Sequence, residues 1–219
     1  MKTKSQKPLS LQFRVPSGTK NPKPLSSLDK PLYKEMMQAI KNFRDEYGLP
    51  TENIIVGDLP KTEAGRTILR ATTFGTTIRE SKYIVLNSQY NTIDKVLNYE
   101  KKGKGDFIES NKPLHSSITH ELAHTLWDPV WSDNAVKMKN RIGKDTFDKM
   151  YPKGSKYIKA GQEIRKVYSD WKKDKRKKGW GRYANDTVAE FWAEGINKHL
   201  TGNKDKYTRQ LDKIAKTLK

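Results

Sequence analysis

Of the four histidines in this 219-residue chain, His120 and His124 stand four residues apart, with Glu121 directly after the first. On an α-helix residues four apart share a face, so both imidazoles can address one metal ion. A glutamate beside the first histidine can then reach a metal-associated water and act as general base. His120-Glu121-Leu122-Ala123-His124 therefore reads as the H-E-x-x-H pattern, with one catalytic Zn2+. Two unrelated histidines with a chance glutamate are the competing reading, and the rarity of the pattern favours the metal.

Two histidines do not complete a catalytic zinc site, which normally has three protein ligands and an open position. The chain has no cysteine, so thiolate ligands and disulfides are excluded and nitrogen or oxygen must supply the third ligand. The extended metzincin pattern would place glycine and histidine where Trp127 and Val130 stand, which rules out that class. Asp128, Asp133, Glu163, Glu190, Glu194 and His199 remain. Glu190 has the strongest claim, because Val188, Phe191 and Trp192 would bury one side of its helix. Glu190 and Glu194 share a face, and both are costly near a core without a cation or donors. Ligation of zinc by Glu190 removes that cost. Glu194 can accept a hydrogen bond from the outer nitrogen of a ligand histidine and fix its tautomer.

The elements that must hold these groups can be read from periodicity and punctuation. Residues 1–27 contain Pro8, Pro16, Pro22 and Pro24, six basic residues and no acid, and read as a disordered basic tail. Residues 28–219 read as a single domain. Leu32, Met36, Ile40, Phe43 and Tyr47 predict a helix over 31–47, with Asp29 as cap and Gly48 as stop. Strands are expected over 53–56, 70–77 (with Gly75 as a bulge or weak point) and 82–87. A helix over 94–102, with Thr92 near its cap, is expected to end at Gly103. The motif helix is predicted over 114–127, backed by Ile118, Leu122 and Leu126 and ended by Pro129. Residues 133–178 are polar and helix-prone, with Ile158, Ile164, Val167, Tyr168 and Trp171 as packing contacts. Helices over 186–200, stopped by Gly202, and over 206–218 complete the chain. The expected fold class is α+β: a small mixed sheet packed on the motif helix, with a mostly helical C-terminal half.

The segment from Tyr183 to Glu194, Tyr-Ala-Asn-Asp-Thr-Val-Ala-Glu-Phe-Trp-Ala-Glu, resembles the third-ligand helix of zinc peptidases of the anthrax lethal factor type. The clostridial Pro-Pro endopeptidases carry a similar segment. In that family a tyrosine precedes the ligand glutamate by seven residues, and aromatic residues, alanine and a second glutamate follow. Tyr183 and Glu190 have this spacing. The resemblance covers roughly residues 115–128 and 183–195, and the interval between His124 and Glu190 is longer than the family leads one to expect. It implies a zincin-like, gluzincin-type domain that is a zinc endopeptidase acting on a protein or peptide substrate. It further implies His120, His124 and Glu190 as ligands, Glu121 as general base and Tyr183 as the group that stabilises the oxyanion. Substrates of such zincins commonly lie extended beside a sheet edge, and the strand over 82–87 is the expected edge.

Forty-four basic residues against 25 acidic ones give a formal charge of +19, concentrated in residues 153–182. The peak is Lys172, Lys173, Lys175, Arg176, Lys177 and Lys178, interrupted by Asp174 alone. Such a run is most often a solvated face, but it can also attract nucleic acid or another polyanion. The rival reading of the whole chain is accordingly a basic polyanion- or nucleic-acid-binding module with a structural or vestigial metal site. No apolar N-terminal run resembles a signal peptide, and no stretch is long enough to span a bilayer. The chain is thus expected in the cytoplasm or exported by a non-classical route.

Overall fold

Apolar spacing on the first helix decides how the N-terminal third is built. In a computed structural model, which describes residues 19–48, 54–58, 75–78, 83–107, 109–127, 129–175 and 178–219, helix α1 runs Lys30–Tyr47. Leu32, Met36, Ala39, Ile40, Phe43 and Tyr47 lie on its buried side. The Asp29 carboxylate accepts the Leu32 amide at 3.3 Å, which satisfies one of the orphan donors of the first turn. Gly48 closes the helix, as expected.

Four strands form one sheet in the order β1 (Lys20–Pro24), β2 (Ile54–Asp58), β4 (Tyr83–Asn87), β3 (Gly75–Ile78). β2 and β4 are parallel, while β1 and β3 pair antiparallel on the outside. The sheet is therefore mixed. The inner strands are continuous apolar runs, with Ile54, Ile55, Val56, Ile84, Val85 and Leu86 all buried, as parallel strands inside a sheet require.

Two expectations are corrected here. The strand expected as the open edge, residues 82–87, is interior: β4 has β2 on one side and β3 on the other. Its unbroken hydrophobicity reflects burial on both faces and does not itself fix its place in the ladder, and the edge beside it is β3. The disordered tail expected up to residue 27 does not reach that far, since β1 pairs with β2 and a 3-10 turn, Leu25–Ser27, buries Leu25. Prolines are tolerated on an edge strand, where a missing amide costs no ladder bond, so Pro22 and Pro24 do not exclude β structure. Residues 1–18 of that tail and 70–74 of the second expected strand lie outside the described residues.

The rest is helical: α2 (Ile93–Lys102), α3 (Pro113–Leu126), α4 (Pro129–Ile142), α5 (Lys144–Met150), α6 (Gly154–Lys173), α7 (Val188–Thr201) and α8 (Lys206–Thr217). The α+β class with a helical C-terminal half holds. The motif helix α3 stops at Leu126, before Pro129, and Pro129 instead opens α4, where its missing amide is harmless. α4, α5 and α6 gather a small core of their own around Ala135, Phe147 and Ile158. Ile164, Val167 and Trp171 of α6 join the main core, with Tyr168 packed partly buried against it.

α3 packs against α7, α1, β3 and α2. α7 is buried almost all round, from Ala189 to His199. At the end of α3 the Trp127 amide makes no capping bond among the described residues, so the last carbonyls need outside donors. The Trp192 indole supplies one, donating from Nε1 to the Ala123 carbonyl at 2.9 Å in a fully buried setting. One turn before the motif, Asn197 Nδ2 donates to Ser116 Oγ at 2.9 Å, also buried. Trp192→Phe keeps most of the apolar volume but orphans the carbonyl, and we expect a loss of about 1–2 kcal/mol. A lower urea midpoint with an unchanged m-value checks this.

Candidate metal centre

His120 and His124 sit one turn apart on the α3 face turned towards α7, backed by buried Ile118, Leu122 and Leu126. Opposite them, the first turn of α7 presents Glu190. Thr187 caps that helix by accepting the Glu190 amide at 3.1 Å. The Glu190 side chain is left to point across at the histidines.

Three ligand atoms converge. His120 Nε2 and His124 Nε2 are 3.1 Å apart, and Glu190 Oε2 lies 3.2 Å from the first and 3.3 Å from the second. Zinc bonds of about 2.0–2.1 Å at tetrahedral angles place ligand atoms roughly 3.3–3.4 Å apart, so this triangle has the dimensions of one tetrahedral face. Glu190 Oε2 is buried and has no well-aligned hydrogen bond, although two imidazole nitrogens stand beside it. A lone pair in that position fits a cation. The group His120, His124 and Glu190 can hold a metal ion.

Glu194, one turn further along α7, meets the other nitrogen of His120: its Oε1 is 3.0 Å from Nδ1. The glutamate side chain is 1 % exposed. A carboxylate so deeply buried favours the tautomer with hydrogen on Nδ1, which turns the Nε2 lone pair towards Glu190 and His124. Burial would lower the His120 pKa, but Glu194 and Glu190 outweigh it and hold the imidazole well above its usual range. For Glu190, burial acts to raise the pKa, and the two histidines reverse it to well below the usual carboxylate range. Both directions say the same thing: the pocket demands positive charge, and in the absence of a metal a proton supplies it.

Glu121 is half-buried on α3 next to His120. Tyr183 lies in a 3-10 turn, Arg182–Asn185, just ahead of α7, with its ring centroid 5.8 Å from that of His120. It is 36 % exposed, the most open of the site's side chains that carry a printed exposure. Burial first, then Glu190, Glu121 and Glu194, raise its phenol pKa, so the hydroxyl keeps its proton at neutral pH. The six residues singled out from the sequence, His120, Glu121, His124, Tyr183, Glu190 and Glu194, thus fall in one neighbourhood.

The other candidate ligands do not join it. Asp133 pairs with Arg165, Glu163 is exposed beside Lys159, and His199 is buried 3.6 Å from Asp212. Asp128 lies outside the described residues. The remaining histidine, His115, meets Glu35 at 2.9 Å. Of the basic run, Lys172 and Lys173 end α6, and Lys172 Nζ reaches the Asn185 carbonyl at 3.5 Å. Arg176 and Lys177 lie outside the described residues. No described helix is long and apolar enough to cross a membrane.

One participant escaped the sequence reading. Glu100 on α2 accepts a short hydrogen bond from Ser117 Oγ, one turn before His120. Burial raises its carboxyl pKa to about 7, with Glu194 adding to the rise and the Ser117 bond opposing it. The available signal was its spacing: Ile93, Val96 and Glu100 fall on one stripe of α2, where a carboxylate does not belong without a reason.

No protein-family model matches the chain, and no curated protein or solved structure matches it either.

Two expectations follow. Zinc should bind with one-to-one stoichiometry and raise the thermal midpoint, as any ligand of the folded state does. Glu190→Ala should abolish both effects, whereas Glu194→Gln should weaken affinity by about 10–100-fold while keeping the stoichiometry. Metal analysis with calorimetry distinguishes these outcomes. In the metal-free protein, unfolded Glu100 ionises near 4.5 while the folded group keeps its proton to about 7. Its contribution relative to Glu100→Gln is therefore full below the lower value and lost as pH rises through the upper one. That difference should shrink by roughly 2–3 kcal/mol between pH 4 and 8, and a flat difference in urea unfolding across that range would contradict the assignment.

Proposed function

We propose that the chain is a zinc-dependent endopeptidase with a zincin-like domain, hydrolysing peptide bonds of a protein or peptide substrate. The observation that carries this reading is the convergence of the two motif histidines and Glu190 into a ligand triangle beside Glu121 and the proton-bearing Tyr183. His120, His124 and Glu190 would hold the ion. Zinc so held acts as a Lewis acid, acidifying water and polarising a carbonyl.

The chain's own groups supply the proton traffic. Glu121 takes the proton of the attacking water and passes it to the departing amine. The Tyr183 hydroxyl donates a hydrogen bond to the carbonyl oxygen as negative charge develops there. Glu194 keeps the His120 ring in the tautomer that presents Nε2. An extended peptide can add along β3, which flanks α3 and among the described residues pairs on one side only.

Glu121→Ala should retain zinc and lose peptide cleavage by about 10²–10⁴-fold. Tyr183→Phe should lower kcat by about 10²–10³-fold with zinc content unchanged. Peptide-library cleavage followed by mass spectrometry, with and without a chelator, reads both. Undiminished cleavage by Glu121→Ala, or cleavage indifferent to chelation of all zinc, would refute the reading.

A further inference from the structure

The Tyr183 hydroxyl makes no hydrogen bond among the described residues, so its place beside His120 is set by the ring's neighbours and the backbone beneath it. The ring terminates a row of aromatic side chains that leads in from α2. Tyr99 and Phe107 have centroids 5.6 Å apart, Phe107 and Tyr183 5.9 Å, and Tyr183 and His120 5.8 Å. Phe107 meets Tyr183 nearly edge-on, at an interplanar angle of 76°.

The backbone is tied at two successive residues. The Arg182 amide donates to the Gly105 carbonyl at 2.9 Å, and the Tyr183 amide to the Asp106 carbonyl at 2.8 Å. The two chains approach so closely that Gly181 has no room for a side chain: a Cβ there would lie 2.2 Å from the Asp106 oxygen and 2.4 Å from the Phe107 carbonyl carbon. Those are main-chain atoms and cannot swing aside. Gly103 is used the same way beneath the Phe107 ring, which a Cβ would meet at 2.3 Å. Outside the clamp, Arg182 pairs with Asp106 at 2.8 Å, but both are exposed and the pair adds little.

We infer that the segment after α2, residues 103–107, is the device that holds Tyr183 over the metal centre, and that Phe107 is a positioning residue for the step Tyr183 serves. The effect on turnover rests on the peptidase reading; the geometric role does not. Displacing a transition-state donor by as little as about 1 Å can cost on the order of 10²-fold in rate, so a ring acting only on another ring can still govern kcat.

The test uses the full chain and reads geometry and activity separately. NMR on metal-free and zinc-loaded protein with labelled tyrosine and histidine should show a Tyr183–His120 ring contact in the wild type. That contact should vanish in Phe107→Ala and Phe107→Leu and return in Phe107→Tyr, with zinc stoichiometry unchanged throughout. Phe107→Leu keeps the apolar volume, which preserves the test should Phe107→Ala fail to fold. On a cleaved peptide, Phe107→Leu should lower kcat by about 10–100-fold at unchanged KM. The same substitution in a Tyr183→Phe background should cost less than about twofold, since the two residues act through one group. Retention of the ring contact in Phe107→Ala and Phe107→Leu, or an equal loss of kcat in the Tyr183→Phe background, would overturn the positioning role. A ring contact that responds as expected in a chain that cleaves no peptide would instead sink the peptidase reading and leave the positioning role standing.

Discussion

Glu194 carries a carboxylate into a helix buried almost all round, and the 3.0 Å contact to His120 Nδ1 offsets the cost of that burial. Moving an unpaired carboxylate out of water costs several kcal/mol even after relaxation. α3 brings an imidazole to that spot, and so favours α7 at the centre of the fold. The demand propagates outward. With the helices docked at this register, Trp192 reaches the Ala123 carbonyl and Asn197 reaches Ser116, so polar contacts on either side of the pair fix the same alignment. Glu190, one turn before Glu194, is then carried to the other nitrogen of the same ring without further adjustment.

The electrostatics of the centre run against those of the chain. A molecule with a formal charge of +19 gathers Glu190, Glu194 and Glu100 around two imidazoles. His120 is driven towards protonation, Glu190 towards ionisation, and Glu100 towards keeping its proton. Each shift reduces net negative charge in the pocket or pairs it with a positive one. A divalent ion answers the same need with one particle and frees His120 from carrying the proton, which is why ion binding and protonation compete at such sites. The centre is thereby built for a cation, whatever reaction it serves.

Much of this was legible in the sequence, for identifiable reasons. The H-E-x-x-H spacing is a short-range property of one helix, and Glu190 and Glu194 repeat that logic on a second. Helix α1 announced itself through Asp29, the apolar spacing and Gly48. The failures came where local signals are ambiguous. A continuous apolar strand reads the same whether central or at an edge until its neighbours are known, and β4 proved central. Proline-rich, basic chain looks disordered, yet residues 20–24 find a partner in β2, and pairing across 30 or more residues leaves no mark in composition. Thr187 with Glu190 three residues on matches a capping box, but only the Thr187 half forms because the glutamate is drawn to the histidines. Glu100 and the clamp at residues 103–107 were missed because both act through tertiary contacts, Glu100 with Ser117 of α3 and the clamp with residues 181–183.

The pattern of exposure decides from which side the centre is reached. The ligand side chains are 10–19 % exposed and Glu194 is 1 % exposed, whereas Tyr183 is 36 % exposed. The α7 side is closed by the packed helix itself, and Ile118, Leu122 and Leu126 close the back of α3. The open approach to the ligand triangle is therefore the face that the phenol borders. On the peptidase reading we propose, a substrate carbonyl entering there would meet the phenol as donor, and the water shell it sheds would be replaced by fixed groups whose interactions are stronger for being partly withdrawn from solvent. On that reading Tyr183 is the residue whose placement matters most to an incoming substrate. The protein anchors it through its backbone and its neighbouring rings, and its hydroxyl makes no hydrogen bond among the described residues.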